Sequence, residues 1–158
     1  MGRAKGVWFR RTVVLVLSAI VVLALANRFG QRQSVSVVRS APASLSVRAP
    51  SNLRGGLIYE LRIEIRATDA LHHAHLVIGD GWLEGMTMNT LEPTPANETS
   101  ADGQLKLALG HIAAGQTFVQ FIQMQVNPTT AARRTATVSL LDGNRRLATS
   151  RRTLTIFP

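Results

Sequence analysis

Between Leu57 and Arg66 the chain reads LIYELRIEIR, with Leu57, Tyr59, Leu61, Ile63 and Ile65 on one parity and Glu60, Arg62, Glu64 and Arg66 on the other. Successive side chains of an extended strand point to opposite faces, so this run lays one apolar row on a core and one charged row in water. A helix would scatter the same residues around its circumference. The signs on the wet row alternate, as a self-neutralising solvated face requires, so Glu60 and Glu64 are not read as a catalytic carboxylate pair.

The same period recurs along the chain. Val35 and Val37 alternate with Ser34 and Ser36, and Leu45 and Val47 with Ser44 and Ser46, which predicts two short edge strands. Ala74, Leu76 and Ile78 form the inward row of a strand over 70–78, and Leu105, Leu107 and Leu109 that of a strand over 104–109. Over 117–126 both parities are apolar at first, as in a strand covered on both sides, and Phe118, Ile122, Met124 and Val126 continue one row. Strands over 135–140 and 146–157 flank Asp142-Gly143-Asn144, a hairpin turn in which Gly and Asn tolerate positive φ. Leu147 and Thr149 fall on one parity and Leu154 and Ile156 on the other, so a bulge near Ser150-Arg151 is expected. Seven to nine short strands separated by Gly- and Pro-bearing turns predict an all-β, antiparallel sandwich over 54–158, with no helix inside it.

What precedes the sandwich differs in kind. Thr12 to Ala26 is an unbroken apolar run preceded by Arg3, Lys5, Arg10 and Arg11, the order of an export signal's basic and apolar regions. As a helix the run covers only about 22 Å of a hydrocarbon layer about 30 Å thick, and Ala24-Leu25-Ala26 offers a small-x-small cleavage pattern. Trp8, Phe9 and Phe29 at the interfaces, with snorkelling arginines, would lengthen the span. Residues 12–29 are therefore expected to be a transmembrane signal-anchor helix, with a signal peptide cleaved after Ala26 as the open alternative. The basic bias puts 1–11 in the cytoplasm as a tail and the domain outside, a single-pass arrangement at the cell membrane.

Residues 1–59 carry nine of the 18 Lys and Arg and no acid, whereas 60–158 carry nine basic and nine acidic residues. The charge thus belongs to the membrane-flanking third and not to a nucleic-acid groove, and its arginines lack interleaved stacking aromatics. Residues 30–53, rich in Ser and Arg with Pro42 and Pro50, read as a stalk passing into the first edge strands. Arg10, Arg11, Arg28 and Arg32 are candidates for contact with anionic lipid headgroups in the bilayer.

The runs LIYELRIEIRA, LHHAHLVIGDGWLEGM and DGQLKLALGHIAAGQTFVQFIQMQV, in that order and with the turn Leu109-Gly110-His111-Ile112-Ala113-Ala114-Gly115, resemble the immunoglobulin-like repeat modules of bacterial surface proteins. The chain also looks like short, single-anchored bacterial envelope proteins. The resemblance spans about 53–157 and implies an immunoglobulin-like sandwich acting as a scaffold or binding module, with no catalytic residues.

Two candidate sites follow. Gly81 to Met88 holds more apolar surface than a loop requires, so it either plugs one end of the sandwich or is a contact patch for another envelope or membrane protein. Trp82, Leu83, Met86 and Met88 are nominated as that patch, with Gly81 and Gly85 letting the loop adapt. His73 and His75 fall on one strand face and His72 on the other; solvated histidines are one reading, and a copper site of His75, Met86, Met88 and His111 the other. The ten-residue gap from His75 to Met86 is similar to the first half of the motif of periplasmic copper chaperones of cupredoxin-like type, but His111 lacks the following Met. No nucleophile elbow, phosphate loop or H-E-x-x-H occurs, and with no Cys there is no thiolate chemistry. The expectation is a non-enzyme without cofactor or identified small-molecule substrate.

Overall fold

Backbone pairing turns these alternating runs into two sheets. The computed structural model describes residues 2–25 and 32–158, in two units, one up to Arg32 and one from Gln33 to Pro158. The second unit contains eleven strands: β1 (Gln33–Arg39), β2 (Ala43–Pro50), β3 (Asn52–Arg54), β4 (Ile58–Ala67), β5 (Leu71–Ile78), β6 (Met86–Glu92), β7 (Asn97–Ala101), β8 (Gln104–Ile112), β9 (Thr117–Val126), β10 (Ala132–Asp142) and β11 (Arg145–Phe157). One sheet has the order β1-β2-β4-β9-β6 and the other β3-β11-β10-β5-β8-β7. Together they make an all-β sandwich of two sheets.

The expected central strand is β4, whose Tyr59, Leu61, Ile63 and Ile65 are buried between the sheets. Facing them are Leu71, Ala74, Leu76 and Ile78 of β5 and Val138 and Leu140 of β10. Each fully buried Leu or Ile contributes about 1.5–3 kcal/mol by leaving water, so these rows carry the stability of the unit. The chain passes between sheets at Pro50, which has no N–H to continue the ladder. Beyond it β3 pairs with β11, Leu53 opposite Ile156, and this pair is parallel where an antiparallel sandwich was expected.

Several other expectations change. There are eleven strands instead of seven to nine, because β3 spans three residues, β7 is exposed throughout, and a register shift between Met88 and Thr90 breaks the alternation of β6. β1 and β2 are full members of a sheet, so the domain begins at Gln33 and not at 54. A short helix, α2 (Asp80–Leu83), sits between β5 and β6. The outer side of β9 is open, with Phe121 half-exposed beneath the Arg62 guanidinium 5.3 Å from its ring. The hairpin forms as read, Asp142 pairing with Arg145 across Gly143-Asn144, and Gly143 has φ +58°. Its bulge lies at Leu147 and not at Ser150-Arg151: Leu141 pairs with Arg146 and Leu140 with Ala148. The inward row of β11 is therefore Ala148, Ser150, Arg152, Leu154 and Ile156.

In the first unit helix α1 spans Gly2–Leu25, taking in the basic residues as well as the apolar run. Among the described residues no helix is long and apolar enough to cross a membrane, so the transmembrane helix expected at 12–29 is not upheld. The physical reason is length, since from Thr12 to Leu25 the uncharged part of α1 rises only about 21 Å. Arg10, Arg11 and Arg32 are exposed, and Arg28 lies outside the described residues.

Candidate functional site

The nominated loop is built as a plug. Gly79 N–H bonds to the Thr137 carbonyl and Trp82 N–H to the Gly79 carbonyl, which turns the chain inward through α2. Trp82 is 0% exposed. Its ring lies 6.4 Å from that of Tyr59 on β4 and 5.9 Å from the Arg152 guanidinium on β11. Leu83, Met86 and Met88 are half-buried and pack against the same core. The four residues nominated as a partner patch are therefore turned to the interior, and Trp82 has no surface to offer. Gly81 is required for close approach and not for adaptability, because a Cβ there would collide with the Thr135 carbonyl oxygen of β10.

Around the plug lies a polar layer that the alternating pattern hides. The Tyr59 hydroxyl donates to Met86 Sδ at 2.9 Å, and burial pushes its pKa far up, opposed in smaller part by the Arg134 charge. Arg134 in turn donates to the Glu84 carboxylate at 3.1 Å and to its carbonyl. Arg152 reaches from the six-stranded sheet to the edge of the other, donating to the carbonyls of Ala49 at 2.9 Å, Ser34 at 3.1 Å and Val47 at 3.3 Å. Desolvation lowers its pKa. Ser150 donates to Ser36 Oγ at 3.0 Å. Buried Gln120 donates to the Pro93 carbonyl at 2.9 Å, tying β9 to the segment after β6. This layer explains the misplaced bulge, since two of its members, Ser150 and Arg152, occupy inward positions.

The copper set does not assemble. His75 is on the outward parity of β5 in the six-stranded sheet, with Nδ1 2.8 Å from the His73 carbonyl. Met86 and Met88 face the core from β6 in the other sheet, and His111 is exposed on β8. Nor do His73 and His75 share a regular strand face, because register shifts interrupt β5 on both sides of Ala74. Among the described residues no group of three or more His, Cys, Asp or Glu is placed to hold a metal ion.

What the structure leaves open is an edge. Among the described residues β1 pairs only with β2, so alternate N–H and C=O groups along its seven residues face outward. Val35 and Val37 are each 51% exposed on it. Beside them is a hollow of about 390 Å³ on the outer face, lined by Val37, Arg39, Ser44, Ser46, Glu64 and Arg66 among others. At the other sheet ends β7 is short and polar, β6 stops at Pro93, and β3 covers only Thr155 to Phe157 of β11, where Arg152 turns inward to the carbonyls of Ala49, Ser34 and Val47. The signal for this site was the Val-Ser alternation before residue 39, which reads equally as a stalk.

No protein-family model and no curated protein sequence matches the chain. Among solved structures, a non-cellulosomal cohesin from Archaeoglobus fulgidus is similar at 11% identity and TM-score 0.43, covering 80% of this chain and 92% of its own. A CARDB domain from Pyrococcus furiosus is similar at 7% identity and TM-score 0.41, covering 80% and 96%. The sulfur carrier protein SoxY from Chlorobium limicola is similar at 13% identity and TM-score 0.38, covering 89% and 99%. Likeness at this level carries nothing about activity or partners.

Proposed function

We propose that this chain is a non-catalytic, extracytoplasmic binding module that captures another envelope protein through the open edge of β1. The observation that carries the reading is that edge: seven residues without Pro or an inward charge, two half-exposed valines, and a hollow beside them. A strand added there gains backbone hydrogen bonds, while its alternate side chains meet Val35 and Val37 on the outer face. Charge complementarity names the occupant. Arg39 and Arg48 are exposed at this edge and β1 and β2 contain no acid, so the fitting partner is an extended segment mixing β-branched and acidic residues. The amino-terminal helix supports export, because basic residues followed by an apolar run are what the secretory machinery takes.

A photocrosslinking residue placed at Val37 in the full chain, expressed in bacteria, tests the proposal. It should yield a discrete adduct with an envelope protein, and Val35→Lys should abolish it without lowering the melting temperature, since exposed positions contribute little to folding. The same probe at Thr99 on β7 should yield none. No adduct at Val37, or equal adducts from both strands, sinks the proposal.

A further inference from the structure

The irregularity that breaks β5 brings two imidazoles together. Leu71 pairs with Ile112 and Ala74 with Gly110, so His72 and His73 on β5 stand against the single residue His111 on β8. Gly110 has φ +79°, a conformation that glycine adopts without cost and that permits the kink. The two facing rings, His72 and His111, have centroids 5.6 Å apart and planes 36° apart, and both residues are exposed. Two imidazoles bound to one ion at about 2.0–2.1 Å, with a tetrahedral to trigonal angle between them, hold their centroids roughly 5–5.5 Å apart. The observed centroid spacing lies within about 0.1 Å of that range.

We propose that His72 and His111 form a two-imidazole site for a divalent late first-row metal ion such as Zn²⁺, with water completing the coordination. Asp142 at the end of β10 serves as a positioning residue. Its carboxylate accepts the His73 N–H at 2.6 Å, and the His73 carbonyl accepts the Gly143 N–H at 2.8 Å, which clamps the bulged segment to the adjoining hairpin. His75 is not a member, its ring Nδ1 being directed to the His73 carbonyl. Imidazole donors suit Zn²⁺, Cu²⁺ and Ni²⁺, whereas Ca²⁺ and Mg²⁺ seek oxygen and should not compete.

Equilibrium dialysis of the full chain in detergent against Zn²⁺ should give one saturable ion per chain that excess Mg²⁺ does not displace. His72→Ala and His111→Ala should each weaken it at least about tenfold, as expected when one of two protein ligands is lost. The double variant should lose little more than either single one, because the ligands serve one ion. His75→Ala should bind as the parent does, and all variants should keep the parent's melting temperature in the absence of metal. Absence of saturable binding overturns the site, as does additive loss in the double variant or an equal loss in His75→Ala.

Discussion

Tyr59 and Arg152 bring polar atoms into the space between the sheets, and each answers to a different physical demand. Arg152 keeps its charge and meets it with three backbone carbonyls and the face of Trp82. Tyr59 has only the weak Met86 thioether as acceptor and stays neutral because burial penalises the phenolate. A folded-state pKa raised above the unfolded value near 10 gives stability that is complete below about pH 10 and is lost as pH rises beyond it. The chain has one Tyr, so tyrosinate absorbance reports this residue alone. In an alkaline titration the tyrosinate signal should appear together with loss of sheet circular dichroism, and Tyr59→Phe should move that unfolding to higher pH. Tyrosinate forming while the sheet signal persists would show that the hydroxyl is not held in the core.

At the scale of elements, the strands that sequence reading located are those with an uninterrupted row, as in Tyr59 to Ile65 of β4. Where a polar residue has an inward task, reading failed. Ser150 and Arg152 moved the expected bulge, and Gln120 sits in an otherwise apolar row of β9. The short α2 was illegible for a related reason, since four residues carry no periodicity and Trp82 in a glycine-flanked loop reads equally as plug or patch. Burial decides between them. Trp82→Ala should cost about 3–5 kcal/mol, as removal of large buried aromatics does. For a domain of this size the melting temperature should fall by roughly 10 °C or more. A variant that melts with the parent would return α2 to the surface and reopen the loop as a contact site.

On the scale of the whole molecule, two physically unlike parts share one chain. The sandwich from Gln33 to Pro158 buries its own core, whereas α1 begins with basic residues and exposes Val14, Leu15, Leu17, Val21 and Val22 along its length. An apolar helix of this kind lowers its free energy by leaving water, but about 21 Å of rise is short for a hydrocarbon layer of about 30 Å, so delivery to the membrane and spanning it are separate matters. The sandwich does not need α1 for its stability if its core is self-sufficient, and the division at Arg32 implies that it is. Deleting residues 1–32 should therefore leave the melting temperature within about 2 °C of the parent, a shift worth less than 1 kcal/mol. The same deletion should change location: in spheroplasts carrying the full chain, added protease should degrade the sandwich, and in those carrying the truncated chain the sandwich should be protected. Protection of the sandwich in both would refute export by α1, and a truncated chain that fails to fold would refute the independence of the two parts.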